Sequence, residues 1–113
     1  MIVVYHNPKC SKSREGICFL DDLKIPYNIV KYLDNELTED ELKNIIKKLN
    51  INPIDLVRKK EKIWIENYKD KIMNDHDIIL AMVQNPKLIE RPIVINGNKA
   101  VIARPTEKIK EIL

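Results

Sequence analysis

Residues 2–14 read IVVYHNPKCSKSR, an apolar run that passes through an Asn-Pro turn into a helical pattern. The run predicts a short buried strand, and the pattern after the turn predicts a helix over about residues 10–23. A second strand is predicted over about residues 27–32. This opening is a β-α-β unit, so its two strands should lie parallel in one sheet.

Cys10 stands where this helix is predicted to begin. Backbone N–H groups at a helix N-terminus lack intrahelical partners, and together with the helix dipole they favour an anion. We therefore expect the pKa of Cys10 to lie below that of a free thiol, which makes Cys10 a candidate nucleophile. Arg14, one turn further along the same face, adds a permanent positive charge.

The second cysteine, Cys18, cannot form a disulfide with Cys10 inside one helix. Their spacing separates the two Cα atoms by about 12 Å at about 1.5 Å per residue, whereas a disulfide requires less than about 7 Å. Cys18 lies in the apolar run of residues 17–20 and is predicted to be a small buried core residue. Redox chemistry at Cys10 would then require a thiol from another molecule.

Helical patterns fill the middle of the chain. A capping box at Thr38 predicts a helix over about residues 39–49. Pro53 opens a short helix that is expected to include residues 56–58, and a further helix is predicted to run from Asp75 or Asp77 to Gln84.

Two strands and a last helix follow. The segments at residues 93–95 and 100–103 flank Asn96-Gly97, a tight-turn signal, and predict a β-hairpin. An amphipathic helix should start at Pro105 and direct three apolar residues toward the sheet, namely Ile109, Ile112 and Leu113.

The resulting order is β-α-β, helical insert, β-β-α, which is the thioredoxin-like plan. We predict an α/β fold with a mixed four-stranded sheet, in one domain of residues 1–113 with an insert at about residues 36–90. The first five residues are too short for a signal peptide, and no segment approaches the roughly 20 apolar residues of a membrane span. We therefore expect a cytoplasmic protein that does not bind membranes.

The charged residues show a selective use of arginine. The net charge is only +3 and the lysines are scattered among acidic residues, which indicates a solvated surface and not a nucleic-acid-binding one. Only four of the 20 basic residues are arginines. The planar arginine fork suits bidentate contact with an oxyanion, so Arg58, Arg91 and Arg104 would form an anion pocket if they met a thiolate.

Three further residues near the predicted site have open roles. Ser13 is either a first-turn residue or a hydroxyl donor to the thiolate, and His6 is either a surface group or one that tunes the thiol and shuttles protons. The bond between Arg91 and Pro92 is a candidate cis bond. In thioredoxin-like proteins a cis-proline commonly faces the active cysteine, which would bring Arg91 toward Cys10.

Four separated motifs resemble the ArsC family of glutaredoxin-coupled arsenate reductases. They span nearly the whole chain and read HNPKCSKSR at 6–14, LVRK at 56–59, RPIV at 91–94 and ARPTE at 103–107. Together they are specific, whereas the Cys-x-x-x-Arg spacing alone is weak.

The resemblance implies roles for individual residues. The family's cysteine that matches Cys10 is the nucleophile, the arginines that match Arg58, Arg91 and Arg104 bind the arsenate or arsenite oxyanion, and the histidine that matches His6 is thought to lower the thiol pKa. It also implies arsenate as substrate, glutathione as co-substrate and glutaredoxin as partner, with no bound cofactor and no metal.

Two alternatives within the same family remain open. Spx-type regulators bind RNA polymerase, but they typically carry a Cys-x-x-Cys pair where this chain has Ser13, and they lack the arginine that matches Arg104. A glutathione-dependent thiol reductase of another substrate is the second alternative. A role like that of tyrosine phosphatases is disfavoured, because their phosphate loop requires a Cys-x5-Arg spacing.

Overall fold

The computed structural model describes residues 2–34 and 37–113. The chain divides into two compact units, Met1–Asn35 with Arg91–Leu113, and Glu36–Glu90. The second unit has the bounds that the sequence predicts for the helical insert, while the assignment of the chain to one domain stays a prediction.

The first unit contains a four-stranded sheet in the order β2-β1-β3-β4. Its strands are β1 (Ile2–Tyr5), β2 (Tyr27–Val30), β3 (Ile93–Asn96) and β4 (Lys99–Ile102). β1 and β2 are parallel, and the pairs β1–β3 and β3–β4 are antiparallel. This mixed sheet confirms the predicted α/β, thioredoxin-like fold.

Helix α1 (Ser11–Asp22) follows β1 and buries one stripe, at Ser13, Gly16 and Leu20. Leu20 joins the apolar core of this unit together with Val4 and Val94. Cys18 is exposed, so its prediction as a core residue is wrong. The physical reason is the helical period of 3.6 residues, which turns the chain by about 100° per residue. Cys18 is two positions from both Gly16 and Leu20, so it lies about 200° around the helix, nearly opposite the buried stripe.

The hairpin and the last helix differ from prediction in detail. Asn96 pairs with Lys99, so the two-residue loop is Gly97-Asn98, one residue later than predicted, with Gly97 at a φ of 62°. The last helix is a 3₁₀ helix, Thr106–Ile112. Its three-residue period places Ile109 and Ile112 on one buried side, whereas Leu113 is 52% exposed and does not pack as predicted.

The second unit is helical. Its α-helices are α2 (Glu39–Leu49), α3 (Lys62–Asn67) and α4 (Asp75–Gln84). The predictions for α2 and α4 are confirmed, and Thr38 caps α2, since its Oγ1 accepts a hydrogen bond from the Glu41 N–H at 3.1 Å. The sequence gives no signal for α3, because six residues are too few to display a helical period.

The short helix at Pro53 is a 3₁₀ helix that ends at Leu56. Val57 and Arg58 therefore lie beyond it, contrary to prediction. Val57 forms an isolated antiparallel bridge with Ile89, and the Arg58 N–H donates to the Leu88 carbonyl at 2.7 Å. Of the helices in residues 2–34 and 37–113, none has the length and apolar character needed to cross a membrane.

Candidate active site

Cys10 is the N-cap residue of α1 and has an extended backbone, at φ −94° and ψ 123°. Its carbonyl accepts the first helical hydrogen bond from the Arg14 N–H at 3.0 Å, and its own N–H donates to the Asn7 carbonyl at 3.0 Å. The thiol is half-buried. Cys10 thus occupies the position at the start of the helix that the sequence predicts.

Arg104 reaches this thiol from the end of β4. Its Nη2 donates to Cys10 Sγ at 3.5 Å, and its Nε donates to the Arg91 carbonyl oxygen at 2.7 Å. The guanidinium is therefore held by two contacts, one to the Cys10 sulfur and one to the Arg91 carbonyl oxygen.

Opposing effects act on the pKa of Cys10, and the pKa is lowered overall. Burial raises the pKa, because it disfavours the charged thiolate. The Ser13 N–H, the Arg91 side chain and the Lys12 N–H donate hydrogen bonds to the sulfur, and the positive charge of Arg91 acts in the same direction. These groups stabilise the thiolate and outweigh burial, so Cys10 is ionised at a lower pH than an ordinary cysteine.

Ser13 in the first turn of α1 and His6 in the loop before it form a buried pair. Ser13 Oγ lies 2.6 Å from His6 Nδ1 and accepts a hydrogen bond from the Asn7 N–H at 3.0 Å. Both side chains and Asn7 are buried. The Ser13 hydroxyl therefore ties together the loop before α1, and the Ser13 main-chain N–H stabilises the thiolate.

The pKa of His6 is lowered, first by burial and then by the positive charges of Lys31 and Arg14. Burial and these charges therefore disfavour the protonated form of His6. His6 is buried and is not a surface group. It contacts the side chain of Ser13, and the main-chain N–H of Ser13 donates to Cys10 Sγ, so the two residues are connected through Ser13. Direct tuning of the thiol by His6 stays a prediction.

Gly16 and Pro92 face each other next to the site. A Cβ atom added at Gly16 would lie 3.0 Å from Pro92 Cγ, so a side chain at this position would push against Pro92 and glycine allows the close approach without it. The Arg91–Pro92 bond is cis, the isomer that the sequence raised as a candidate. Nothing in the sequence distinguishes Gly16 as a site residue, because a glycine six residues after Cys10 gives no chemical signal.

The structure places the other two arginines, Arg14 and Arg58, next to other residues. Arg14 is exposed, and its charge bears on His6. Arg58 lies in the second unit, where its Nη1 donates to Glu61 Oε2 at 2.9 Å. Its part in binding an oxyanion stays a prediction.

The geometry of the first unit supports one kind of chemistry. A thiolate stands beside two guanidinium groups, so an oxyanion held by the arginines would meet a nucleophile at short range. Among the residues that the structure describes, there is no group of three or more His, Cys, Asp or Glu side chains placed to bind a metal ion.

Comparison with known proteins supplies the family. The model described as "ArsC family" matches residues 5–112. A protein of Haemophilus influenzae named "Arsenate reductase" is 40% identical over 99% of this chain and 98% of its own length. An Escherichia coli (strain K12) protein of the same name is 35% identical over 99% of this chain and 80% of its own length.

Solved structures agree with the sequence comparison. The structure titled "Arsenate reductase from Vibrio cholerae" superposes with a TM-score of 0.94 at 41% identity. The match covers 99% of this chain and 97% of that one.

Proposed function

The chain belongs to the ArsC family, and from this premise we propose that it is an arsenate reductase whose nucleophile is the Cys10 thiolate. The contact of Arg104 Nη2 with Cys10 Sγ at 3.5 Å is the observation that carries the proposal, because it joins a cation that binds oxyanions to a nucleophile. The names of the relatives supply the substrate.

Arg91 and Arg104 hold the arsenate oxyanion, and the family resemblance gives Arg58 the same role. An arsenate ion and a thiolate are both negative and repel each other in water. Guanidinium groups offset this repulsion and become more effective as charge shifts during attack, so they act both in binding and in the reaction step.

The first chemical step joins sulfur to arsenic. The Cys10 thiolate attacks arsenic(V), the S–As bond forms, and one arsenate oxygen leaves as water after taking up protons. No electrons have been transferred at this stage, and arsenic remains at the same oxidation level.

The second step transfers two electrons. Glutathione attacks the Cys10 sulfur and an S–S bond forms, while the electron pair of the S–As bond passes to arsenic, which leaves as arsenite with the thiol proton. Two thiols are oxidised to a disulfide as arsenic(V) becomes arsenic(III). Cys18 does not supply the second thiol, because it lies eight residues along the same helix.

Glutaredoxin then restores Cys10. Its thiolate attacks the glutathione sulfur of the mixed disulfide, releases the Cys10 thiol and carries the glutathione away as its own mixed disulfide. This cycle requires a reducing compartment, which supports a cytoplasmic location for a chain with two free cysteines.

A coupled assay tests this function. We expect NADPH oxidation that depends on arsenate, glutathione, glutaredoxin and glutathione reductase, abolished by Cys10→Ser and largely retained by Cys18→Ser. Equal loss in the two variants would contradict the mechanism. Turnover of a generic disulfide without arsenate turnover would favour another thiol reductase, and stable capture of RNA polymerase would favour a regulator.

A further inference from the structure

Asn7 lies in the loop between β1 and α1, and the proposed reaction has so far given it no role. The residue is buried, with only 6% of its surface exposed. Burial of a polar side chain costs free energy unless the side chain makes hydrogen bonds. The contacts of Asn7 therefore indicate what it contributes to the loop.

Two oxygen atoms of Asn7 hold the turn that leads to the thiol. Pro8 and Lys9 are the central residues of this turn. The side-chain Oδ1 of Asn7 accepts a hydrogen bond from the Lys9 N–H at 3.0 Å, and the carbonyl oxygen accepts one from the Cys10 N–H at 3.0 Å. The first contact is an Asx-turn and the second closes a β-turn. The N–H groups of Lys9 and Cys10 are thus both bound to one residue.

A third contact connects Asn7 to the helix. The Asn7 N–H donates to Ser13 Oγ at 3.0 Å, and Ser13 lies in the first turn of α1. The main-chain N–H groups of Lys12 and Ser13, in this same turn, donate to Cys10 Sγ. Asn7 therefore joins the segment that precedes Cys10 to the segment that follows it.

The turn determines the direction of the sulfur through the backbone of Cys10. Cys10 has an extended conformation, at φ −94° and ψ 123°, whereas the residues that follow it are helical. A change in this conformation rotates the Cα–Cβ bond and moves the sulfur relative to the N–H groups of Lys12 and Ser13. Hydrogen bonds weaken steeply when they are misaligned. Loss of the contact between Asn7 and Lys9 should therefore weaken the hydrogen bonds to the sulfur.

We propose that Asn7 is a positioning residue for Cys10, whose side-chain oxygen fixes the turn that places the sulfur against the N–H groups of the first helical turn. The inference rests on the proposed function in taking Cys10 as the nucleophile. It adds a residue that acts on the nucleophile through the backbone.

The residue type fits this role. An aspartate would make the same Asx-turn, but its carboxylate would add a negative charge close to the thiolate and would raise the pKa of Cys10. Asparagine provides the acceptor oxygen without the charge. Serine provides an acceptor that makes the same kind of turn more weakly. Serine and alanine at this position therefore separate the effect of the acceptor from the effect of a smaller side chain.

Alkylation of Cys10 by iodoacetamide in a Cys18→Ser background tests the positioning. We expect Asn7→Ala to move the midpoint of the rate–pH profile to higher pH by about 0.5 pH unit or more, because the thiolate loses well-aligned N–H donors. Asn7→Ser should move the midpoint less, because its hydroxyl can accept from the Lys9 N–H. An unmoved midpoint in Asn7→Ala would overturn the proposal. Equal movements in the two variants would also overturn it, because they would assign the effect to lost volume.

Asn74→Ala is the matched control. Asn74 is the N-cap of α4, and its Oδ1 accepts a hydrogen bond from the Asp77 N–H at 2.8 Å. Both alanine variants therefore lose an asparagine oxygen that binds a main-chain N–H, and both should unfold at a lower urea concentration. Only Asn7→Ala should move the alkylation midpoint. An equal movement in Asn74→Ala would mean that alkylation follows general stability, and it would reject the positioning role.

The positioning test and the test of function fail separately, because alkylation requires no arsenate. If arsenate is not reduced but the midpoint moves as expected, the proposed substrate is wrong and the positioning of Cys10 stands. If arsenate is reduced but Asn7→Ala keeps the original midpoint, the function stands and the role of Asn7 is wrong.

Steady-state kinetics of arsenate reduction provide a second readout. Asn7→Ala should lower kcat by about fivefold or more and change the KM for arsenate by less than about twofold, because the nucleophile is displaced and the oxyanion ligands are not. A raised KM with an unchanged kcat would contradict the proposal.

Discussion

Cys10 has a lowered pKa because of neighbours that only the folded chain brings together. The Ser13 and Lys12 N–H groups come from the first turn of its own helix, but Arg91 and Arg104 come from far along the chain. The Arg91 carbonyl also holds Arg104 at 2.7 Å, so one arginine orients the other. At the residue scale, the reactivity of this thiol therefore depends on tertiary contacts as well as on its helix.

Removal of one guanidinium should make Cys10 harder to ionise. The rate of iodoacetamide alkylation in a Cys18→Ser background should rise with pH through the Cys10 pKa, with a midpoint below that of an ordinary cysteine. Arg91→Gln removes both a hydrogen bond and a positive charge from the thiolate, so the midpoint should move to higher pH. Lys110→Gln, an exposed control, should leave the midpoint in place. An unchanged midpoint in Arg91→Gln would contradict the assigned cause.

The buried hydroxyl of Ser13 should matter for stability. Ser13→Ala removes the partner of both His6 Nδ1 and the Asn7 N–H, and it should lower the free energy of unfolding in urea by about 1–3 kcal/mol. Ser11→Ala, two residues earlier and exposed, should change it by less than about 0.5 kcal/mol. Similar losses in the two variants would mean that the hydrogen bonds of Ser13 contribute little.

At the scale of elements, the approach of α1 to the segment before β3 sets the site. Gly16 lies on the buried stripe of α1, and Pro92 follows the arginine that contacts Cys10. A residue without a side chain at this contact lets the helix and the Arg91–Pro92 segment come together. The glycine therefore contributes to the position of Arg91 without touching the sulfur.

A side chain at Gly16 should disturb this packing. Gly16→Val places methyl groups where a Cβ alone would already lie 3.0 Å from Pro92 Cγ, and it should cost about 1–3 kcal/mol of stability. The displaced Arg91 should also raise the Cys10 alkylation midpoint. The neighbouring exposed change Glu15→Val should cost less than about 1 kcal/mol and leave the midpoint unchanged. A Gly16→Val protein with normal stability and normal midpoint would refute this role.

Elements with local signals could be predicted from the sequence, and elements without them could not. The capping box at Thr38 and the Pro and Gly positions fixed α2, α4 and the hairpin to within about a residue or two. Helix α3 has only six residues and shows no period. Cys18 is exposed because it lies opposite the buried stripe of α1. The apolar run around it does not indicate which side of the helix is buried, so this exposure could not be predicted.

The same distinction applies to the site. The position of Cys10 at a helix start is local and was predictable. The contact of Arg104 with the Arg91 carbonyl, and that of Ser13 with His6, depend on tertiary geometry that no spacing in the sequence specifies. The family motifs predicted which residues belong to the site, but not which of their atoms are in contact.

At the scale of the whole molecule, the proposed function rests on three arginines as oxyanion ligands, Arg58, Arg91 and Arg104. Each of Arg58→Lys, Arg91→Lys and Arg104→Lys should raise the KM for arsenate by about tenfold or more, because lysine retains the charge but loses the bidentate fork. Steady-state kinetics with Lys110→Gln as control would measure this. Normal kinetics in all three variants would exclude an arginine pocket.

The most direct measurement of the central claim is a single turnover without glutaredoxin. The protein is mixed with arsenate and glutathione, arsenite is quantified, and the modified cysteine is located by mass spectrometry of peptides. We predict one arsenite released for each glutathione bound to Cys10, and no disulfide at Cys18. Arsenite released from protein with an unmodified Cys10, or a glutathione disulfide formed at Cys18 in its place, would contradict the account.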